Sequence, residues 1–468
     1  MSALAIQGVS SFAGKSLLTT ALARVFHRRG VRVAPFKAQN MSNNARVVDG
    51  GEIGVAQYLQ ALAAGIEPDV RMNPILVKPE ADDRSQVVVM GRVDHELGAR
   101  RWRDRPGPLW PVAEAALREL LNEYELVLIE GAGSPAETNL RSTDLANMRT
   151  AHAAGAPVVL VADIDRGGAF AHLHGTWALV DDADRAALKA FVLNKFRGDE
   201  SLLAPAPRDL EESTGMTFVG VLPWVEHGLP DEDGAAPPAA QPGSSRVAVV
   251  RYPTASNLDE LKLLEQVADV VWASRPEELD GADLVVLPGS KHVAGDMGWL
   301  RERGLDRAIA ERAARGGRVL GICGGLQLLG GAIEDDAGVD GSGAGLGLLP
   351  VWTVFRAEKR TERVDAFFGA LPEPWAALSG LPFSGYEIRH GDVVPTAPTA
   401  EAIPDGRGFV AGAVLGLTLH GALESPAVVE ALVGRRPTRH LEAVFEELAD
   451  LVEARLDMDA LERLAGVA

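Results

Sequence analysis

The first residues suited to chemistry form the stretch GVSSFAGKS, residues 8–16. It lies between an apolar run typical of a strand and a pattern typical of a helix, where phosphate-binding loops occur. Backbone N–H groups and the helix N-terminus favour an anion there, while Lys15 can reach a terminal phosphate and the Ser16 hydroxyl can bind Mg²⁺. The stretch predicts an ATP site formed by Ser11, Phe12, Ala13, Gly14, Lys15 and Ser16.

This loop is one residue longer than usual, because five residues rather than four separate Gly8 from Gly14. Its length resembles the loop of dethiobiotin synthetase and its relatives, which phosphorylate a carboxylate. The related partitioning ATPases carry a second lysine five positions before the main one, where this chain has Ser10. The loop therefore favours a carboxylate-activating enzyme.

A magnesium ion at Ser16 also needs acidic ligands. Glu130 ends an apolar run in LVLIEGAG, and Glu52 in GGEIGVAQ is a second candidate. A carboxylate at the end of a strand can also be merely solvated. We expect ATP and Mg²⁺ as cofactors, with Ser16, Glu130 and Glu52 as candidate magnesium ligands.

The only cysteine, Cys323, lies in the stretch GGRVLGICGGLQLLGG, between an apolar run and a helical pattern. A lone cysteine is more often an inert buried thiol. Here the flanking glycines allow the tight turn of a nucleophile elbow, and the N–H of Gly324 can stabilise an oxyanion. Gly289 and Ser290, in VVLPGSKH, form a turn that can complete the oxyanion hole.

A thiol nucleophile needs a base, and His420 ends a late apolar run in VLGLTLHGALE. The pair Cys323 and His420 is typical of class I glutamine amidotransferases. Most of that class has a glutamate two residues after the histidine, where this chain has Ala422. Glu424 lies four residues after the histidine, so no third member is assigned.

These residues require two scaffolds. Apolar runs alternate with amphipathic segments, which predicts an α/β fold with mostly parallel sheets flanked by helices. The alternation is interrupted by DEDGAAPPAAQPGSS, whose composition is typical of a linker. We predict a P-loop synthetase domain over 1–230, a linker over 231–245 and an amidotransferase domain over 246–468.

Composition narrows the function classes. A formal net charge of -19 argues against general nucleic-acid binding but leaves room for a locally basic cleft. No apolar run is long enough to span a bilayer, so we expect no membrane association. One cysteine cannot form an internal disulfide, which favours the cytoplasm. The oligomeric state is left open.

Several longer stretches resemble the cobyric acid synthase family, glutamine-dependent enzymes of cobalamin biosynthesis: PFKAQNMSNN, EIGVAQYLQALAAGIEPDVRMNPILVKP, EGAGSPAETNLRSTDLANM, VADIDRGGAFA, FVLNKFRGD, LPGSKHVAGDMGWL and GICGGLQLLG. The resemblance implies that the substrate is adenosylcobyrinic acid a,c-diamide. It implies amidation of the b, d, e and g carboxylates, with one ATP and one glutamine for each. Each carboxylate would become an acyl phosphate, and ammonia from glutamine would displace the phosphate.

The resemblance also implies roles for further residues. Asn194 resembles the family's adenine-reading position, and Asp163 would orient an arginine or contact Mg²⁺. The amide-rich loop at 39–44 would contact the corrinoid. The implied substrate-binding residues are Gln39, Asn40, Ser42, Asn44, Lys78, Asp163 and Arg166.

Two positions depart from the family pattern. Thr418 stands where a tyrosine is usual, and Arg389 with His390 replaces a usual histidine-methionine pair. Two alternatives remain: cobyrinic acid a,c-diamide synthase, which has the same two-domain plan, and a partitioning-type ATPase switch with an appended binding module.

Overall fold

A computed structural model describes residues 2–81, 84–229 and 244–467. The predicted linker, 231–245, lies outside these residues except for Ser244 and Ser245. Among the residues described, no helix combines the length and the apolar character needed to cross a membrane.

The N-terminal domain contains twelve strands and eight helices within the described residues. Its strands are β1 (Ser2–Gly8), β2 (Val33–Phe36), β3 (Gln39–Met41), β4 (Ala45–Val48), β5 (Gly51–Gly54), β6 (Ile75–Ala81), β7 (Arg84–Val89), β8 (Arg92–Val93), β9 (Leu126–Glu130), β10 (Val158–Asp163), β11 (Leu188–Phe196) and β12 (Thr217–Pro223). Its helices are α1 (Lys15–Arg28), α2 (Val55–Ala63), α3 (His95–Ala99), α4 (Pro106–Glu123), α5 (Met148–Ala154), α6 (Ala169–Leu179), α7 (Asp182–Ala187) and α8 (Ala206–Thr214).

Its main sheet has six parallel strands in the order β12-β11-β10-β1-β9-β2. β9 and β10 are buried along their whole length, as expected for strands covered by helices on both faces. Two smaller sheets, β3-β6-β7-β8 and β4-β5, lie between β2 and β9 in the chain. Their strands carry the amide-rich loop and Glu52.

The C-terminal domain begins at residue 246. Its strands are β13 (Arg246–Val250), β14 (Ala255–Ser256), β15 (Asp269–Ala273), β16 (Leu284–Leu287), β17 (Gly289–Ser290), β18 (Arg318–Ile322), β19 (Ala332–Glu334), β20 (Gly343–Ala344), β21 (Val351–Phe367), β22 (Pro382–Pro395), β23 (Ala400–Ile403), β24 (Gly408–Ala411) and β25 (Val414–Leu417). Its helices are α9 (Lys262–Glu265), α10 (Val293–Glu302), α11 (Leu305–Ala314), α12 (Gly324–Leu329) and α13 (Pro426–Val433).

The main sheet of this domain has seven strands in the order β15-β13-β16-β18-β25-β24-β23. The first five are parallel, and β24 and β23 pair antiparallel at one edge. The predicted α/β class with mostly parallel sheets is confirmed. β18 and β25 are neighbours at the middle of the sheet, so the residues that follow them, Cys323 and His420, lie at the same edge.

A long antiparallel hairpin of β21 and β22 connects the domains. Two of its residues, Tyr386 and Ile388, pack in one apolar cluster with Ala45, Val47, Leu76 and Val88 of the N-terminal domain. The hairpin also adds ion pairs across the interface, including one between Arg363 and Glu67. The hairpin therefore holds the C-terminal domain against the N-terminal domain.

The last two helices, α14 (Leu441–Arg455) and α15 (Met458–Ala465), differ from the prediction. They pack on the N-terminal domain, where buried residues such as Phe445 join the same core as Phe26 of α1. Arg24 and Arg28 of α1 form ion pairs with acidic residues of α14. The predicted amidotransferase domain, 246–468, thus includes two helices whose buried residues join the core of the other domain, and no break in composition marks this return of the chain.

Candidate active site

The nucleotide loop connects β1 to α1 and has a backbone that its sequence permits. Phe12 and Gly14 have φ angles of 59° and 105°. A Cβ atom on Gly14 would lie 1.9 Å from Nδ2 of Asn194, so a side chain there would collide with that amide. Asn194 Nδ2 in turn donates to the carbonyl of Ala13 at 2.9 Å. The structure thus brings Asn194 against the predicted loop.

Lys15 lies inside this loop and is largely buried. Its Nζ donates to the carbonyl oxygens of Ser10 at 3.2 Å and Gly133 at 3.4 Å. The N-terminus of α1 adds a partial positive charge beside this ammonium group. Both features favour the binding of a phosphate at this position.

Glu130, fully buried at the end of β9, accepts hydrogen bonds from three side chains. Its Oε1 accepts from Ser16 Oγ at 2.9 Å and from Lys37 Nζ at 3.0 Å, and its Oε2 accepts from Gln60. A hydroxyl and a carboxylate side by side are hard oxygen ligands of the kind that Mg²⁺ prefers. Lys37 was not among the predicted site residues, although it directly follows β2, the neighbour of β9.

Glu52 and Lys78 lie elsewhere, at the boundary with the C-terminal domain. The Glu52 carboxylate pairs with Lys78 through one oxygen and with Lys359 of β21 through the other. These lysines outweigh the effect of burial and hold the pKa of Glu52 well below its usual range. Both oxygens of Glu52 are thus engaged by lysines, whereas Ser16 and Glu130 are the two predicted magnesium ligands that contact each other.

A cavity of about 1430 Å³ extends from the nucleotide loop to the C-terminal domain. Asn40, Ser42 and Asn44 line it, while Gln39 pairs with Ile75 at the start of β3. Cationic side chains outnumber anionic ones in its described lining. The cationic ones are Lys15, Lys37, Arg166, Lys195, Arg251, Lys262 and Arg439, and the anionic ones are Asp163, Asp165, Glu226 and Glu265. A chain with a net charge of -19 thus presents a locally basic cleft.

Asp163 lies at one side of this cavity, at the end of β10. Its Oδ2 accepts from Lys195 Nζ at 3.0 Å and lies 3.6 Å from Nε of Arg166. Lys195 also donates to the carbonyl of Phe12 at 2.7 Å. Lys195 was not predicted as a site residue, and it joins the nucleotide loop to Asp163.

Cys323 forms the sharp turn between β18 and α12. Its φ of 52° lies in the region that favours glycine, and it is largely buried. A strained conformation of this kind directs the side chain of the turn residue away from the end of the strand, toward the groups that follow the neighbouring strands. The N–H of Cys323 donates to the carbonyl of Leu417, which fixes the turn against β25.

The two predicted oxyanion-hole residues lie beside this turn. A Cβ atom on Gly289 would lie 2.9 Å from Cε1 of His420, and one on Gly324 would lie 2.5 Å from the backbone N of Ser290. Side chains at either glycine would therefore fill the space around the thiol and the imidazole. The structure brings Gly289, Gly324, Cys323 and His420 together.

His420 has an acidic partner that the sequence did not indicate. Glu260 Oε1 lies 2.8 Å from His420 Nδ1, and Glu260 Oε2 accepts from the N–H of Gly421 at 3.1 Å. Both Glu260 and His420 are 1 % exposed. Glu260 therefore orients the imidazole, and Glu424 instead pairs with Arg46 at 2.6 Å.

The electrostatics of the pair favour its charged form. Burial by itself lowers the pKa of His420, but the Cys323 sulfur and the Glu260 carboxylate outweigh it and raise the pKa to about 10. Burial has the opposite effect on the thiol and raises the pKa of Cys323. The neighbouring His420 nevertheless brings that pKa below its usual value. The side chains thus favour a thiolate beside an imidazolium, which is the nucleophilic form of cysteine.

The two departures from the family pattern meet at one carboxylate. Thr418 Oγ1 donates to Glu387 Oε1 at 2.7 Å, and Arg389 Nη2 donates to the same oxygen at 3.2 Å. Glu387 is fully buried. Thr418 and Arg389 are therefore joined through a shared buried partner.

Comparisons with known proteins agree with this division of the chain. Residues 4–230 match a model described as the CobQ/CobB/MinD/ParA nucleotide binding domain. Residues 246–428 match a model described as the CobB/CobQ-like glutamine amidotransferase domain. The second match ends before α14, in agreement with the packing of the last two helices on the other domain.

Curated relatives cover nearly the whole chain. A cobyric acid synthase of Polaromonas sp. (strain JS666 / ATCC BAA-500) is 54 % identical, with 98 % of this chain and 97 % of the relative aligned. A cobyric acid synthase of Variovorax paradoxus (strain S110) is 54 % identical, with 98 % of each chain aligned. One from Methylibium petroleiphilum is 52 % identical, with 99 % of this chain and 96 % of the relative aligned.

Proposed function

The chain belongs to the cobyric acid synthase family, and we propose that it amidates the b, d, e and g carboxylates of adenosylcobyrinic acid a,c-diamide with ATP and glutamine. One observation carries this proposal: a nucleotide loop and a paired thiol and imidazole lie in one chain, on either side of a shared interface. The first supports activation of a carboxylate, and the second supports release of ammonia. Neither part alone would form an amide from glutamine.

In the N-terminal domain a substrate carboxylate oxygen attacks the γ-phosphorus of ATP, which gives an acyl phosphate and ADP. Lys15 and the N-terminus of α1 stabilise the charge on the transferred phosphoryl group. Ser16 and Glu130 would hold Mg²⁺, which neutralises phosphate charge when it is bound. Ammonia then attacks the acyl carbon, and inorganic phosphate leaves.

In the C-terminal domain the Cys323 thiolate attacks the side-chain amide carbon of glutamine. The N–H groups near Gly289 and Gly324 would stabilise the oxyanion, and the His420 imidazolium gives its proton to the departing ammonia. The neutral imidazole then takes a proton from water, which hydrolyses the thioester to glutamate. The thiol must stay reduced for this cycle, which supports a location in the cytoplasm.

Paired variants test this division of work. Cys323→Ala should abolish amide formation from glutamine but retain it with ammonium salts, because only ammonia release needs the thiol. Lys15→Ala should abolish amide formation with both nitrogen donors, because both routes need the acyl phosphate. The measurement is amide formation by each variant with each donor.

Each variant serves as the control of the other, since each leaves one half-reaction intact. Loss of ammonia-supported synthesis in Cys323→Ala would contradict separate half-reactions. Survival of that synthesis in Lys15→Ala would contradict the role of the nucleotide loop.

A further inference from the structure

Arg46, in β4 of the N-terminal domain, reaches into the C-terminal domain. Its guanidinium is buried, with the residue 6 % exposed. It donates to the hydroxyl of Tyr386 and pairs with the carboxylate of Asp259. It also pairs with Glu424, with Nη1 and Oε1 2.6 Å apart. The three partners lie on separate segments of the C-terminal domain.

Two of these partners adjoin the base of the glutamine site. The Tyr386 ring stacks on the His420 ring at 5.3 Å between centroids. The backbones of these two residues also exchange hydrogen bonds, of 3.1 Å and 2.9 Å. Asp259 directly precedes Glu260, the residue that orients His420. A displacement of Arg46 would thus act on both sides of the imidazole.

The residues before Arg46 make parallel links to the same segment. Asn44 Oδ1 accepts from the N–H of Leu258 at 3.2 Å. Asn257 Nδ2 donates to the carbonyl of Ala45 at 2.8 Å and to the Tyr386 hydroxyl at 2.9 Å. Residues 44–46 are therefore tied to residues 257–260.

This connection begins at the cavity beside the nucleotide loop, because Asn44 belongs to the amide-rich loop that lines it. A ligand that contacts this loop would move or fix residues 44–46. The links to residues 257–260 would pass that change to Glu260. A misplacement of a catalytic group by about 1 Å can cost a hundredfold in rate.

We propose that Arg46 is a positioning residue that holds Glu260 and His420 in their working geometry, so that glutamine hydrolysis responds when the corrinoid substrate occupies this cavity. This inference rests on the function proposed above. It assigns to the N-terminal domain a direct part in the activity of the amidotransferase site.

The test is glutamine hydrolysis by Arg46→Met, measured with and without ATP and adenosylcobyrinic acid a,c-diamide. Methionine retains apolar volume and removes every hydrogen bond. We expect kcat to fall about tenfold or more at unchanged KM for glutamine. We also expect the rate to lose its response to ATP and corrinoid, while synthesis from ammonia continues.

Arg363→Met is the matched control. Arg363 also crosses the interface, where it donates to the carbonyl of Val47 at 3.0 Å and pairs with Glu67. Its backbone lies opposite Tyr386 in the hairpin, but its side chain contacts neither Tyr386 nor residues 257–260 in these bonds. An equal fall in kcat for Arg363→Met and Arg46→Met would overturn the proposal. So would wild-type hydrolysis that ignores ATP and corrinoid, or loss of ammonia-supported synthesis in Arg46→Met.

Tyr386→Phe provides a second variant should Arg46→Met fail to fold. It keeps the ring on His420 and removes only the hydroxyl that accepts from Arg46 and Asn257, so a smaller fall in kcat is expected. An unchanged kcat would overturn the proposal. The rate of glutamine hydrolysis measured without corrinoid tests the positioning role of Arg46 alone. A wild-type chain that forms no amide would instead contradict the proposed function.

Discussion

The His420 imidazole lies between a sulfur on one side and a carboxylate on the other. Its partner Glu260 comes from a segment 160 residues earlier in the chain, in a short helical turn after β14. In most class I amidotransferases the corresponding acid follows the histidine closely. Here the same electrostatic support reaches the histidine from a different part of the fold.

This arrangement predicts how Glu260→Gln changes the pH profile. The Glu260 carboxylate raises the pKa of His420, so its removal lowers that pKa from about 10. The imidazolium then loses its proton at lower pH, and the alkaline limb of glutaminase kcat/KM should move down by about one to three pH units. Glutamine hydrolysis across the alkaline range measures this shift.

Glu424→Gln is the comparison for that experiment, because Glu424 follows His420 in the sequence but pairs with Arg46. Its alkaline limb should stay at the wild-type position. A shift in Glu424→Gln with none in Glu260→Gln would show that Glu260 does not support the imidazolium.

Helix α14 and the long hairpin of β21 and β22 determine how the two domains contact each other. Helix α14 lies against α1, which begins at the nucleotide loop. Its buried apolar face and the ion pairs between basic α1 and acidic α14 hold the C-terminal end of the chain on the N-terminal domain. The helix that follows the nucleotide loop thus depends on the end of the chain.

Phe445→Ala tests this packing. Phe445 is fully buried in the core shared with α1, so its truncation should cost about 3–5 kcal/mol. ATP stabilises only the domain that binds it, so it identifies that domain's unfolding transition. Thermal unfolding is measured with and without ATP. The transition whose Tm rises with ATP should have a lower Tm in Phe445→Ala than in the wild type.

Leu441→Ala, in the same helix but 37 % exposed, should change that Tm much less. If Phe445→Ala lowered only the transition that ATP leaves unchanged, α14 would belong to the amidotransferase domain.

The parts of the fold and of the site that depend on a local sequence pattern could be predicted. The loop at Gly14 and the turn at Cys323 were recognisable because glycines at fixed spacing permit those backbones. Glu260, Arg46 and the return of α14 were not, since each acts through contacts between distant segments. The pairing of Glu52 with Lys78 and Lys359 at the interface was not recognisable either, because no local pattern shows a contact between such distant segments.

The whole chain is acidic, yet both the substrate and ATP are anionic and need cationic side chains where they bind. The cavity concentrates cationic side chains beside the nucleotide loop, which suits an anionic substrate and a triphosphate. The hairpin and residues 44–46 tie this cavity to the thiol site across the interface. One chain thus combines activation of a carboxylate with release of the ammonia that it consumes.

The most direct test is the mass of the product formed from adenosylcobyrinic acid a,c-diamide, ATP and glutamine by the purified chain. We expect all four free target carboxylates to become amides, with one glutamine hydrolysed for each amide formed. Addition of only two amides to cobyrinic acid, with no reaction on the a,c-diamide, would contradict it and identify the chain as a cobyrinic acid a,c-diamide synthase.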